Sequence, residues 1–159
     1  MTELRVLGIG SPFGDDQLGW EVVKLLQQKA SLRHYIPHQL HLTCCDRPGM
    51  YLLELMRHAK TVFLIDAVIT GATIGTLHCF KNEDIKDLSS TLSTHGLGIA
   101  EAMQMGAVLQ ELPKHITLYG AEIEGIQQPF SLSNPIKDAI ESLAQRLETD
   151  ILSALTRPA

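Results

Sequence analysis

The sequence of 159 residues lacks several features that mark specialised classes of protein. It has no uninterrupted apolar run of the roughly 18 residues that a transmembrane helix needs, so we expect no membrane association. The opening residues MTELRVLGIGS do not have the pattern of a secretory signal peptide. Glycine (12) and proline (7) are too few for a fibrous or low-complexity chain. With 45% hydrophobic residues, the composition predicts a single globular domain over residues 1–159 that has its own core.

Cysteine and positive charge are also scarce. The three cysteines are Cys44, Cys45 and Cys79, and adjacent cysteines on a strand point to opposite faces and are poor disulfide partners. We therefore expect a reducing, cytoplasmic setting. Lys and Arg total 13 against 18 Asp and Glu, for a net charge of −5, and no basic run is present. This balance argues against a nucleic-acid partner and against an anionic membrane surface.

Short apolar runs alternate with amphipathic segments of helix length. Strands are predicted over 4–10, 40–45, 61–67, 75–81 and 115–121, and helices over 16–30, 50–60, 94–109 and 135–155. The third strand, TVFLIDA, is almost continuously apolar, as is typical of a strand buried on both faces. Alternation of this kind predicts an α/β fold, a three-layer α/β/α sandwich around a twisted, mostly parallel sheet of about five strands.

Polar side chains follow the predicted strands at the points where ligands bind in open α/β sheets. Asp15 and Asp16 come after the loop GIGSPFG, Asp46 follows the second strand, and Asp66 lies near the end of the third. His95 lies at the start of the predicted third helix. Four separate connections therefore bring carboxylates and an imidazole to one edge of the sheet.

Each of these residues also has a purely structural interpretation. Asp15 or Asp16 could cap the first helix, with Asp15 the better candidate, and Asp46 in the sequence DRPG could be a turn or capping residue. A single histidine such as His95 is most often structural. Asp66 is harder to explain in this way, because a carboxylate within a buried strand costs several kcal/mol unless it is paired or binds a cation.

Two carboxylates and one imidazole with open positions would suit a divalent transition metal, with zinc, nickel or iron favoured over magnesium. At a helix N-terminus the positive end of the dipole would favour the neutral, metal-binding form of His95. Neither a Ser/His/Asp nor a Cys/His arrangement can be identified in the sequence, so a conventional nucleophilic protease is not indicated.

The glycines at the end of the first strand also suggest a nucleotide-binding turn, which is an alternative function. The dinucleotide fingerprint is G-x-G-x-x-G, but Gly14 comes one residue late after Gly8 and Gly10. Asp15 and Asp16 would also place negative charge where a pyrophosphate should bind. Both features argue against a nucleotide site.

Four segments of the chain form a recognisable series: GIGSPFGDDQLG at 8–19, LIDAVITGATIGTL at 64–77, STHGLGIAEAM at 93–103 and LYGAEIEGIQQPFSLSNPIKDAI at 118–140. Taken in order, they resemble the hydrogenase maturation proteases, the endopeptidases that trim the C-terminus of nickel-iron hydrogenase large subunits. The resemblance implies an α/β/α fold with a five-stranded twisted sheet.

Carried over residue by residue, the resemblance implies that Asp16, Asp66 and His95 are the metal-contacting and catalytic residues. Asp46 corresponds to an aspartate that faces the substrate. The chain departs from the family pattern at Ser11, where asparagine is usual, and in the loop DRPG, which lacks a Gly-Gly-Thr sequence. The last loop also differs from the usual pattern.

The resemblance further implies an endopeptidase that removes the C-terminal extension of a large-subunit precursor. The metal would be nickel that arrives with the precursor as the recognition element, and zinc or cadmium could replace it in a crystal. An alternative is a non-catalytic, nickel-binding checkpoint module that holds the large subunit without cutting it. We expect a monomer, because the sequence shows no coiled-coil pattern and no long apolar surface.

Overall fold

The computed structural model describes residues 2–88, 98–125 and 131–157. The strands are β1 Thr2–Gly10, β2 Leu40–Asp46, β3 Ala59–Val68, β4 Leu77–Lys81 and β5 His115–Glu122. The helices are α1 Leu18–Gln27, α2 Leu52–Met56, α3 Ile99–Leu109 and α4 Asn134–Thr156. Short 3-10 turns cover Gly14–Gln17, Ala30–Tyr35, Gly49–Tyr51 and Asn82–Asp87.

The five strands form one sheet in the order β2-β1-β3-β5-β4. All neighbouring pairs are parallel except β4, which runs antiparallel to β5 at the edge. In the central strand β3 every residue from 62 to 68 is buried, which agrees with its continuous apolar sequence. The predicted α/β fold, with a mostly parallel sheet of five strands, is confirmed.

The two faces of the sheet carry separate apolar cores. Phe63 and Ile65 of β3 pack with apolar residues of α1 and α4 on one face. Val62 and Leu64 pack with residues of α2 and α3 on the other face. This alternation along one strand produces the predicted three-layer α/β/α sandwich.

The order of the strands creates a crevice at their carboxyl ends. The chain leaves β1 through α1 on one face of the sheet, and it leaves β2 through α2 on the opposite face. β1 and β3 are neighbours, and the chain continues from β1 to β2 on one side of this pair and from β3 to β4 and β5 on the other side, so the connections diverge between them. Such a switch point is where ligands bind in open α/β sheets.

Several predicted helix boundaries were wrong. The predicted helix over 50–60 is reduced to α2, because Arg57 is extended and His58 takes a left-handed backbone conformation (φ 66°) before β3 begins. The predicted third helix starts at Ile99 and not at residue 94, since Gly98 is extended. The sequence also suggests Ser93 or Thr94 as the cap of this helix, and both residues lie outside the described residues.

The capping predictions were also wrong in detail. No side-chain cap is present at the start of the 3-10 turn Gly14–Gln17 or of α1, so neither Asp15 nor Asp16 is an N-cap. α1 begins at Leu18 after that turn, and it ends at Gln27. For the last helix, the sequence suggests Asn134 as the N-cap and Pro135 in the first turn. Ser133, and not Asn134, is the N-cap residue of α4, whereas proline does occupy its first turn. Among the described helices, none combines the length and the apolar character needed to cross a membrane.

Candidate active site at the ends of β1 and β3

Asp16 is held against the end of β1 by its own loop. It lies in the 3-10 turn Gly14–Gln17 with a relative exposure of 0%. The backbone N–H of Ser11 donates to the Asp16 carbonyl oxygen at 3.3 Å, and the Ser11 hydroxyl donates to the Asp16 carboxylate at 2.6 Å. A Cβ atom at Gly10 would lie 2.3 Å from the Asp16 carbonyl oxygen. Only glycine at position 10 therefore allows the turn to fold back onto the strand and bury Asp16.

Two further glycines bring α1 onto the strand ends. A Cβ atom at Gly8 would lie 2.3 Å from the carbonyl oxygen of Gly19. A Cβ atom at Gly19 would lie 2.5 Å from the carbonyl oxygen of Ile9 and 2.7 Å from that of Ile65. The glycines that suggested a nucleotide turn thus have a packing role, since they let the first turn of α1 contact both β1 and β3.

Asp66 occupies a buried position near the end of β3, with 2% exposure. Its strand neighbour Ile65 pairs in register with Gly8 of β1, and Asp66 itself pairs with Gly120 of β5. One carboxylate oxygen accepts a hydrogen bond of 2.9 Å from the backbone N–H of Ala67. Asp66 and Asp16 therefore lie at the ends of two neighbouring strands, in the crevice that the topology creates.

Asp46 is the last residue of β2 and is exposed. Its carboxylate pairs with the guanidinium of Arg47, whose Nε lies 2.6 Å from Asp46 Oδ1. The Arg47 guanidinium also lies over the ring of Phe13, 5.8 Å from its centroid. The capping interpretation of Asp46 is not supported, because no side-chain cap occurs at the following 3-10 turn or at α2. The loop DRPG instead packs its arginine against the first loop.

His95, the predicted imidazole ligand, lies outside the described residues. The first described residue after it is Gly98, whose backbone N–H donates to the Glu101 carboxylate at 3.1 Å. Within the described ranges, no group of three or more His, Cys, Asp or Glu residues has the geometry to hold a metal ion. The assignment of Asp16, Asp66 and His95 as a metal-binding trio therefore stays a prediction.

Sequence reasoning missed a contact that ties the first loop to α4. The Asp15 carboxylate accepts hydrogen bonds from the Ser133 backbone N–H at 2.8 Å and from the Ser133 hydroxyl at 2.9 Å. These residues are 118 positions apart, and no local pattern indicates the pairing. The contact anchors the turn that carries Asp16 to the start of the longest helix.

A second missed residue is Glu122, which ends β5 beside Val68 and is 1% exposed. Its carboxylate accepts hydrogen bonds from the Thr70 backbone N–H at 2.7 Å, from the Thr70 hydroxyl at 2.5 Å and from the Gly71 N–H at 3.2 Å. The ring Nε2 of His78 lies 3.0 Å from the same carboxylate. Burial raises the pKa of Glu122, but the hydrogen bonds outweigh burial and hold the pKa below its usual value. Glu122 thus fixes the loop that leaves β3 just after Asp66.

The cysteines at the end of β2 do not have the properties of a nucleophile. Burial raises the pKa of the Cys45 thiol to about 11, so the thiol stays protonated at neutral pH. Burial also raises the pKa of Cys44, and the nearby Lys24 offsets this effect only in part. All three cysteines are free thiols.

Fold and site together define a three-layer α/β protein with buried carboxylates at a switch point. The model of the hydrogenase maturation protease family matches residues 21–150 of the chain. The chain belongs to the hydrogenase maturation protease family, and it is a peptidase of that family. The matched range includes Asp46, Asp66 and His95, and it begins after Asp16.

Individual relatives resemble most of the chain. The Hydrogenase 2 maturation protease of Escherichia coli (strain K12) is 26% identical over 147 residues, which are 91% of this chain and 87% of the relative. The hydrogenase expression/formation protein HupD of Thiocapsa roseopersicina is 29% identical over 124 residues, which are 76% of this chain. The chain spans 54% of the length of that second relative.

Solved structures share the fold. The hydrogenase maturating endopeptidase HybD from E. coli superposes with a TM-score of 0.83 at 24% identity, over 96% of this chain and 94% of that one. The [NiFe] hydrogenase maturation protease HycI from Thermococcus kodakarensis KOD1 superposes with a TM-score of 0.67 at 23% identity, over 98% and 94% of the two chains. At these identities the likeness extends to the fold and not to individual site residues.

Proposed function

We propose that this chain is the endopeptidase that removes the C-terminal extension of a nickel-iron hydrogenase large-subunit precursor in the cytoplasm. The observation that carries the proposal is the burial of two carboxylates, Asp16 and Asp66, at neighbouring strand ends in a member of this family. Buried carboxylates are costly to maintain, and their clustering at a topological switch point is typical of a functional site. The relative from E. coli is named as a protease for hydrogenase 2, which supports a hydrogenase subunit as the substrate.

Nickel in this proposal belongs to the substrate. Asp16, Asp66 and His95 would complete the coordination of nickel already bound in the precursor, because two carboxylates and an imidazole are suitable donors for a divalent transition metal. A metal ion held there would polarise a water molecule or the scissile carbonyl group. Cleavage would then depend on metal loading, and the protease would act only on subunits that contain their metal.

The surroundings of Asp16 favour such a role. Ser11 donates a hydrogen bond to one carboxylate oxygen, and hydrogen bonds of this kind orient a ligating carboxylate. Gly10 and Gly19 hold the surrounding backbone in tight contact, so the carboxylate is positioned before any substrate arrives. Asp46 is exposed at the end of the adjacent strand β2, where it could contact the docked precursor.

The experiment that tests the proposal is cleavage of purified precursor, followed by intact-mass measurement, with nickel-loaded and nickel-free substrate. We expect Asp16→Asn, Asp66→Asn and His95→Ala each to lower the cleavage rate by roughly a hundredfold, since even the loss of a supporting residue around a metal typically costs 10–100-fold. Asp84→Asn and His38→Ala are matched controls, because both residues are exposed and lie near the amino ends of the parallel strands, away from the candidate active site at their carboxyl ends.

Three outcomes of this assay would decide between the alternatives. Wild-type rates in the three variants would disprove the metal-binding role of these residues. Equal cleavage of nickel-free and nickel-loaded precursor would disprove recognition through nickel. Stable binding of the loaded precursor without any shortening would instead support the non-catalytic checkpoint module, which membership of a protease family argues against.

A further inference from the structure

A groove lies between α4 and the strands β5 and β4, toward the amino ends of the parallel strands. The candidate active site lies at their carboxyl ends. The volume of the groove is about 470 Å³. Thr117 and Tyr119 of β5 form part of its floor, and Lys81 of β4 pairs in register with Thr117. Lys60 and His115 lie at its open end, where β3 and β5 begin. Between Lys60 and Asp66, β3 advances roughly 20 Å, so the cationic part of the groove is well separated from the candidate active site.

One face of α4 forms the wall of this groove. Four lining positions recur at the i, i+4, i+7 and i+8 spacing of a single helical face, over a helix length of about 12 Å. They are Arg146, Asp150, Ser153 and Ala154. Arg157, the extended residue that follows α4, continues the wall. A wall with two arginines faces a floor with one lysine, so cationic groups approach the groove from both sides.

The charge of the groove is opposite to that of the chain. Four lining residues are cationic, whereas among the described lining residues only Asp150 is acidic. The chain as a whole carries a net charge of −5. A concave surface with charge of one sign concentrates ions of the opposite sign. A cationic groove on a chain with a negative net charge is therefore a distinct local feature.

The negative charge of Asp150 is already engaged within the wall. Its carboxylate accepts a hydrogen bond of 2.7 Å from the Tyr119 hydroxyl and lies 3.8 Å from Nε of Arg146. Lys81 and Arg157, in contrast, form no ion pair with another described residue. Two cations on opposite sides of the groove are therefore left to face solvent.

We propose that this groove binds a small polyanion, a molecule that carries two or more phosphate or carboxylate groups. The volume lies within the range of about 300–1,000 Å³ that is typical of small-molecule sites. Guanidinium groups suit phosphate and carboxylate, because both accept paired hydrogen bonds from the planar fork. The proposal does not depend on the proteolytic function, since the groove shares no residue with the candidate active site.

The test is titration of the full chain with pyrophosphate and, separately, with citrate, at constant ionic strength and with heat measured by calorimetry. We expect saturable binding of one anion per chain with a Kd below about 1 mM. The double variant Lys81→Gln/Arg157→Gln should weaken this binding at least tenfold. Arg33→Gln/Lys137→Gln is the matched control, because it removes the same charge from exposed positions outside the groove and should change binding less than twofold.

The outcomes distinguish a specific binding site in the groove from non-specific attraction of anions to the protein surface. Binding of pyrophosphate alone identifies a phosphorylated ligand, binding of citrate alone identifies a polycarboxylate, and binding of both shows that charge dominates recognition. Absence of saturable binding of either anion would overturn the proposal. An equal loss of affinity in the two double variants would also overturn it, because net charge and not the groove would then determine binding.

Discussion

Two buried carboxylates of this chain differ in how well the sequence predicts their role. Asp66 can be identified from sequence because it interrupts an otherwise apolar strand, TVFLIDA. Glu122 is equally buried, yet its sequence surroundings GAEIE do not distinguish it from a solvent-facing residue at a strand end. Its partners Thr70 and His78 lie 44 to 52 positions earlier, so only the fold brings them together.

Glu122 should make the stability of the protein depend on pH in acid. Because its pKa in the folded state lies below the ordinary value of 4.5, the folded state favours the carboxylate. The resulting stabilisation is complete at pH values above 4.5 and is lost as the pH falls through the folded-state pKa. Glu122→Gln should therefore lower the free energy of unfolding at pH 7 by about 1.5–3 kcal/mol, the usual contribution of hydrogen bonds to a charged group.

Urea unfolding of Glu122→Gln and the wild type at pH 7 and at pH 3 measures this effect. The difference between the two proteins should shrink at the lower pH, because pH 3 lies below the ordinary pKa of 4.5 and protonation of the unfolded chain then opposes the preference of the folded state for the carboxylate. Glu124→Gln, at an exposed position two residues later, is the control and should show no such dependence. If Glu122→Gln lowers the free energy of unfolding by the same amount at both pH values, the packing of the side chain, and not its charge, stabilises the loop.

At the scale of secondary-structure elements, the strands were predicted more accurately than the helices. Strands buried on both faces have a continuous apolar signature, and their boundaries here agree with prediction to within about two residues. The ends of α1 and α2 depend on contacts that sequence periodicity does not contain. The first turn of α1 is shifted because the carbonyl of Asp16 bonds to Ser11, and the end of α2 is fixed where the chain turns into β3.

The contact between α1 and the strand ends predicts a clear difference between two helical glycines. Gly19→Ala places a Cβ atom 2.5 Å and 2.7 Å from the backbone carbonyl oxygens of Ile9 and Ile65, which cannot move without displacing the strands. We expect a loss of about 1–3 kcal/mol in the free energy of unfolding, despite the better helix propensity of alanine.

Gly106→Ala in α3 is the matched control. There the added Cβ atom meets the side-chain ends of Leu112 and Leu53, which can move by changing rotamer. Denaturant unfolding should show a smaller loss for Gly106→Ala than for Gly19→Ala. Equal stability of Gly19→Ala and the wild type would contradict the close packing of α1 on β1 and β3.

At the scale of the whole molecule, the layers and the location of the site follow from sequence because topology determines both. Alternating strands and helices give a parallel sheet, and a parallel sheet places its loops, with Asp16, Asp46 and Asp66, at one edge. The contacts that support the site could not be predicted, because they join distant loops. The Asp15–Ser133 pair and the stacking of Arg47 on Phe13 are examples.

The proposed function makes a prediction for the cell as a whole. In cells that lack this gene, one hydrogenase large subunit should be heavier than its mature form by the mass of a C-terminal peptide. Intact-mass measurement of the purified large subunits would identify the substrate and the cleavage site together. The wild-type gene should restore the mature mass, and so should Lys81→Gln/Arg157→Gln, because the groove shares no residue with the candidate active site.

Complementation with Asp66→Asn should leave the subunit heavy, because Asp66 is part of the proposed metal-binding trio. Maturation in cells that carry only Asp66→Asn would contradict its role even if the protease assignment is correct. Mature large subunits in cells without the gene, combined with no cleavage by the purified protein, would contradict the assignment itself. The two results are distinguishable because the first concerns a single carboxylate, whereas the second concerns the substrate.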